Sequence, residues 1–238
     1  MERLDKVLAN MGAGSRKEVK ALIRQGRVRV DGAVVSSGET KVDPEESRIE
    51  VDGAPVRYQR HVYLMMNKPL GVISASSDPK EKTVVDLVPE RWRHWDLFPA
   101  GRLDKDTEGF VLLTDDGAFA HDILSPRKHI PKTYVAKVDI PLDERAVKAF
   151  ASGMDIGAGQ ICQSAELILR ETEGGQECVV VLKEGMYHQI KRMFGALGGK
   201  VLSLKRVRMG DLPLDESLAP GECRELTKEE LARVQCRG

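Results

Sequence analysis

The spacing of apolar residues changes period along this chain, and that change limits what it can build. Leu4, Val7, Leu8 and Met11 recur at i, i+3, i+4 and i+7, the stripe of an amphipathic helix, and Gly12 is placed to end it. Ser15-Arg16-Lys17-Glu18 is a capping box that opens a second helix, with Val19, Leu22 and Ile23 inward and Gly26 beyond its end. The period then shortens to two: Val28 and Val30 alternate with Arg27, Arg29 and Asp31, Asp31-Gly32 turns the chain, and Val34-Val35 begins the return. Arg16, Lys17, Lys20 and Arg24 lie away from the apolar stripe of the second helix, on a face free to meet phosphates.

Beyond a hairpin end at Asp52–Pro55 and a polar linker at Arg57–His61, the pattern mixes both periods. Val62–Met66, Phe110–Leu113, Tyr134–Ile140 and Cys178–Leu182 read as strands, and Thr114–Ser125 reads as a capped helix with Phe119, Ala120, Ile123 and Leu124 inward. Ile190, Met193, Phe194 and Leu197 share one helical face, with His188, Lys191 and Arg192 opposite as a cationic ridge. Thr227–Glu230 caps a last helix. Strands and helices do not alternate strictly, so the fold expected is α+β rather than a doubly wound parallel sheet.

Composition narrows the function. No apolar run approaches the roughly 18–20 residues of a membrane helix, and the N-terminus has no apolar core behind Glu2, Arg3, Asp5 and Lys6, so neither membrane nor secretion is expected. Cys162, Cys178, Cys223 and Cys236 form no CxxC pair, which speaks against zinc and a disulfide framework and fits a reducing cytoplasm. His121, His129 and His188 lack close partners at metal-ligand spacing.

The net charge is zero, but the bases are clustered: residues 1–31 hold eight Lys or Arg, Arg3 and Lys6 included, against four acids. Residues 183–208 hold seven bases against Glu184 alone. Such islands are a polyanion footprint when they share a face. Lys205, Arg206 and Arg208 follow at strand-like spacing and would extend the track along a polyanion backbone.

The most informative stretch is Phe98–Gly109, where Arg102, Asp104, Asp106 and glycines sit in a turn-rich segment directly before the apolar Phe110–Leu113. Asp104 and Asp106 have the D-x-D spacing found in haloacid-dehalogenase-type phosphatases, but that motif ends a hydrophobic strand, whereas here it precedes one. The segment resembles instead the G-R-L-D-x-[DN]-[TS]-x-G signature of RNA pseudouridine synthases. Four further stretches resemble motifs of the same family: Asn67–Gly71 (N-K-P-x-G), Leu112–Gly117, Lys132-Thr133-Tyr134 (K-x-Y) and Glu184–Met193 (E-G-x-x-x-Q-[IV]-[KR]-R-M). Leu218–Glu222 resembles its closing L-x-P-G-E. Arg3–Lys6, Ser15-Arg16 and Gly26–Gly32 resemble the S4 RNA-binding domain.

The resemblance implies an S4-like αα-hairpin domain over residues 1–58 and a catalytic domain over 62–238, built on a mixed, mainly antiparallel sheet with flanking helices. It implies Asp104 as the catalytic carboxylate and Lys191 as the cation that keeps it ionised. It further implies Arg102 positioning RNA and aiding base flipping, Tyr134 stacking on the uracil, and Ile190 closing the pocket. No cofactor is implied, since the reaction has no redox change, phosphoryl donor or net hydrolysis. Ribosomal RNA or a ribosome-assembly particle is the partner implied, and the chain is expected to act as a cytoplasmic monomer. Tyr187-His188 looks most like members that modify small-subunit RNA. A large-subunit synthase shares every other motif. A non-catalytic assembly factor on the same scaffold would not need the intact Asp104.

Overall fold

The computed structural model describes residues 1–56, 58–172 and 175–236; of the linker-like stretch Arg57–His61, Arg57 lies outside the described residues. The chain forms two compact units, Met1–Val62 with Pro89–Asp96, and Tyr63–Val88 with Leu97–Gly238. In the first, β1 (Glu2–Arg3), α1 (Leu4–Asn10) and α2 (Arg16–Arg24) precede β2 (Val28–Val30), β3 (Ala33–Val34), β4 (Lys41–Val42), β5 (Ile49–Val51) and β6 (Ala54–Pro55). The Ser15 hydroxyl accepts from Glu18 N while the Glu18 carboxylate accepts from Ser15 N, so the expected capping box closes. Asp31 and Gly32 both have positive φ, 50° and 83°, as the two-residue turn between β2 and β3 requires. Leu4, Val7, Leu8, Val19, Ile23 and Val28 form the core of this unit.

Pro89–Asp96 departs from the boundary expected in the sequence, which assigns it to the catalytic domain. His94 lies against Gly12, where a Cβ would come within 3.0 Å of its ring, and it bonds the backbone of Asn10. No hydrophobic period marks such a docked segment.

The second unit contains β7 (Tyr63–Lys68), β8 (Phe98–Ala100), β9 (Glu108–Thr114), α3 (Gly117–Leu124), β10 (Lys132–Val138), α4 (Glu144–Ser152), β11 (Glu166–Thr172) and β12 (Gly175–Leu182). It continues with α5 (Gln189–Ala196), β13 (Val201–Met209), β14 (Leu212–Pro213), β15 (Cys223–Glu225) and α6 (Lys228–Val234). Nine strands form one sheet in the order β11-β12-β10-β13-β9-β7-β15, with β14 on β13 and β8 on β9. Among the described residues only the β13–β9 pairing of this sheet is parallel, so the sheet is mixed and mainly antiparallel, in an α+β fold.

The helix expected over Thr114–Ser125 starts later. Thr114 ends β9, and Asp116 is the N-cap, accepting from Phe119 N at 3.0 Å. Ala120 and Ile123 face inward as expected, whereas Leu124 is exposed. Helices α4 and α5 cover one end of the sheet, with the Phe150 and Phe194 rings 5.0 Å apart over Ala136, Val180 and Leu204. Helices α3 and α6 pack on Phe110, Leu112 and Met65 at the other end. The parallel junction β13–β9 lies between these two cores, and the strand entering it, β9, follows directly on the loop that carries Asp104.

Candidate active site

Asp104 stands at the start of a tight turn, with Thr107 N donating to its carbonyl at 3.1 Å. Three contacts fix that turn from below. The Ser74 hydroxyl donates to Leu103 O and accepts from Leu103 N, both at 3.0 Å; Gly71 N donates to Lys105 O at 2.8 Å; and Lys68 Nζ donates to Thr107 O at 2.7 Å. Lys68 is fully buried at the end of β7. Burial pushes its amine down to about 8, against the attraction of Asp104, Asp106 and Glu108. Gly109 has a φ of 101°, and a Cβ there would lie 2.2 Å from the carbonyl oxygen of Arg206. The signature glycine is therefore set by the close passage of β13.

The second wall comes from the loop before α5. Gln189 at the first helical position accepts from Met186 N at 2.8 Å and donates to Glu184 at 2.7 Å, and Glu184 also accepts from Gln163 N. This gives the E-G-x-x-x-Q motif a physical role: its glutamate and glutamine close the loop on itself. His188 consequently sits at φ 49°, a left-handed conformation rare for a non-glycine residue. Its ring stacks on Tyr187 with centroids 3.8 Å apart, and its Nε2 lies 3.4 Å from Asp104 Oδ1.

Lys191, one helical turn on, places Nζ 2.9 Å from Asp104 Oδ2 and 2.5 Å from Asp106 Oδ1. Burial opposes its charge, but the bonds to Asp106 and Asp104 prevail and hold the ammonium above the ordinary lysine range. Its hydrogen bond in turn lowers Asp106. Asp104 keeps 29% of its side chain exposed, so the carboxylate is open to the cleft rather than deeply buried. Arg102, Asp104, Tyr134, His188, Ile190 and Lys191 line one cavity.

The residues expected to touch RNA divide differently. Arg16, Lys17 and Arg24 are exposed and form no ion pair among the described residues, while Lys20 stands 3.8 Å from Asp5. Arg3 is held by Asp5 at 2.8 Å and Glu39 at 3.1 Å, and Lys6 by Glu2 at 2.9 Å, so these two are partly neutralised by local acids. The ridge expected on α5 is not free. Lys191 is drawn to the carboxylates, and Arg192 is saturated by the carbonyls of Ile156, Gly157 and Tyr187 and by Gln160.

The track Lys205–Arg208 is also corrected. A bulge and the strand alternation leave Lys205 and Arg208 on one face of the sheet, in a hollow with Thr133 and Val135. Arg206 points to the other face, 97% buried, donating through Nε to Phe110 O at 2.7 Å. Ser74 belongs to the site without any sequence signal, whereas Asp106 lies in the signature stretch and Lys68 in the Asn67–Gly71 motif, which imply no role for either.

The RNA pseudouridylate synthase family matches residues 62–196, more than half of the chain. The chain belongs to that family. An S4 domain matches residues 2–47. The ribosomal small subunit pseudouridine synthase A of Yersinia pestis is 42% identical over 98% of this chain and 97% of its own length. An uncharacterized RNA pseudouridine synthase of Bacillus subtilis is 47% identical over 96% of each chain. A crystal structure of a pseudouridylate synthase covers 98% of this chain and all of its own, at a TM-score of 0.67 and 36% identity. As an RNA pseudouridine synthase, the chain converts uridine in RNA to pseudouridine. The N1–C1′ glycosidic bond breaks, the uracil turns, and C5 bonds to C1′ with loss of the C5 proton while N1 takes up a proton.

Proposed function

We propose that this synthase isomerises one uridine of small-subunit ribosomal RNA, with Asp104 as the group that acts on the reacting nucleotide. The observation that carries the site is the Lys191–Asp104 pair, 2.9 Å apart in a cavity that also contains Tyr134 and Ile190. The small-subunit target rests on the full-length similarity to relatives that bear that name. Attack on C1′, addition at C6 and support of a glycal intermediate all use a carboxylate oxygen presented to the nucleotide, and Lys191 Nζ holds the Asp104 carboxylate in place at 2.9 Å. Tyr134 offers a ring face to the flipped uracil and a hydroxyl to take the C5 proton. Ile190 closes the pocket, and the exposed Arg102 at its edge holds the strand that has lost its base from the stack.

A C5-tritiated transcript of small-subunit RNA, free or in an assembly particle, should release tritium stoichiometrically at one site. Sequencing of both ribosomal RNAs from a deletion strain should show one missing small-subunit pseudouridine. A missing large-subunit position instead would move the target to that RNA.

The reaction balances without a redox or hydrolytic partner, and no group of three His, Cys, Asp or Glu residues suited to a metal occurs among the described residues. Turnover is therefore expected to survive excess EDTA on RNA shown to remain folded. Loss of activity with rescue by one particular metal would contradict this. No helix among the described residues is long and apolar enough to cross a membrane. The four unpaired cysteines fit work in the reducing cytoplasm.

The S4 unit supplies affinity in this reading. Replacing Arg16, Lys17 and Arg24 with Ala should weaken binding and flatten its salt dependence by roughly 0.7–0.9 per lost phosphate contact. The single-turnover rate at saturating RNA should change little, because such contacts persist from ground state to transition state. A collapsed saturated rate at unchanged affinity would mean that the unit orients the uridine instead.

A further inference from the structure

Two cations beside the Asp104 turn have no counter-charge among the described residues. Lys132 and Arg206, on adjacent strands β10 and β13, are 7% and 3% exposed and line one cavity of about 780 Å³ together with Asp104, Arg102 and Tyr134. The Arg206 guanidinium stands 6.0 Å from the centre of the Tyr134 ring, and its Nη2 is buried without a hydrogen-bond partner. Neither Lys132 nor Arg206 pairs with a carboxylate among the described residues. The acids on this cavity are already engaged: Asp104 and Asp106 by Lys191, and Glu184 by Gln189.

Burying one unpaired charge is costly, and placing a second like charge beside it costs more. The strain registers in Lys132, whose amine is pushed down to about 8, chiefly by burial and further by Arg206. A purely structural arginine at this position would be satisfied by its bond to Phe110 O and by neighbouring carbonyls. The free Nη2 and the neighbouring ammonium instead leave donors for an anion that enters the cavity.

We propose that Lys132 and Arg206 form an anion site that takes one phosphodiester flanking the flipped uridine. The proposal rests on the reading of the adjoining cavity, which shares Arg102, Asp104 and Tyr134 with this one, as the uridine site. It gives the lysine of the K-x-Y stretch a binding role, two residues before the tyrosine, because strand alternation turns both side chains to the same face. Holding the phosphate here fixes the ribose between the backbone and Asp104 while the base detaches and turns. The phosphate also supplies the negative charge that the two cations lack.

Calorimetry on the whole protein with uridine, uridine 5′-monophosphate and uridine 3′-monophosphate tests the site without reference to any RNA target. One monophosphate should bind wild type at least about tenfold more tightly than uridine, the scale of a charge-assisted hydrogen bond to a desolvated group. Lys132→Gln should lose most of that advantage while binding uridine normally. Arg206→Lys should do the same if its melting curve shows a folded protein, and Lys132→Gln alone decides if it does not. In a substrate RNA, a neutral methylphosphonate at the matching linkage should cost wild type a similar factor in kcat/KM and cost Lys132→Gln little more. An equal affinity for nucleoside and both nucleotides, or an advantage that survives in folded Lys132→Gln, would overturn the anion site. Absent turnover on small-subunit RNA, with the monophosphate advantage intact, would instead overturn the target.

Discussion

Asp104→Asn should lower the single-turnover rate by about 10⁴-fold or more, a loss of over roughly 5 kcal/mol of transition-state stabilisation. The amide keeps the shape of the carboxylate but can neither attack carbon nor stabilise positive charge at C1′. The fold should hardly notice. The Asp104 side chain is 29% exposed and its ion pair with Lys191 has a second acceptor in Asp106, so the variant should lose no more than about 1 kcal/mol of stability. RNA affinity should stay near wild type, because phosphate contacts made elsewhere do not depend on this carboxylate. Tritium release together with filter binding separates the two quantities. Pseudouridine formation at a wild-type rate by the variant would remove Asp104 from the chemistry altogether.

The largest stability effect is expected at Gly109. Its φ of 101° disfavours any side chain, and an added Cβ would lie 2.2 Å from the Arg206 carbonyl oxygen, well inside van der Waals contact. The obstacle is backbone in the parallel β13–β9 pairing, where Arg206 and Gly109 are partners, so no rotamer change relieves it. Gly109→Ala should cost about 3 kcal/mol or more and lower the melting transition of the catalytic unit by roughly 6–12 °C. Because Gly109 lies two residues beyond Thr107, which closes the Asp104 turn, activity should also fall at temperatures where the variant remains folded. A transition within 2 °C of wild type would show that β9 and β13 separate easily at this point.

Local physics explains why much of the first unit is legible in the chain. The stripe Leu4-Val7-Leu8, the Ser15–Glu18 capping box and the Asp31-Gly32 turn each act within a few residues, and each is found where its spacing puts it. The catalytic strands were legible in kind but not in extent: Phe110–Leu113 lies within Glu108–Thr114, and Cys178–Leu182 within Gly175–Leu182. Their ends depend on pairing partners far away in sequence. The helix Glu144–Ser152, capped by Asp143, went unread although its cap is local.

By itself, the sequence determined the two-part organisation, the α+β class and the presence of a carboxylate and a lysine in separate motifs 87 positions apart. These follow from periodicity, capping and motif chemistry, which are properties of short segments. Tertiary structure decided which charges are spent and which are free. Arg192 is taken up by the loop around Ile156 and Gly157, Lys191 gains Asp106 as a second partner, and strand alternation with a bulge separates Arg206 from Lys205 and Arg208. The physical reason is that a cation's role depends on what lies within about 4 Å of its tip. In a nine-stranded sheet, those neighbours come from strands brought together only by folding.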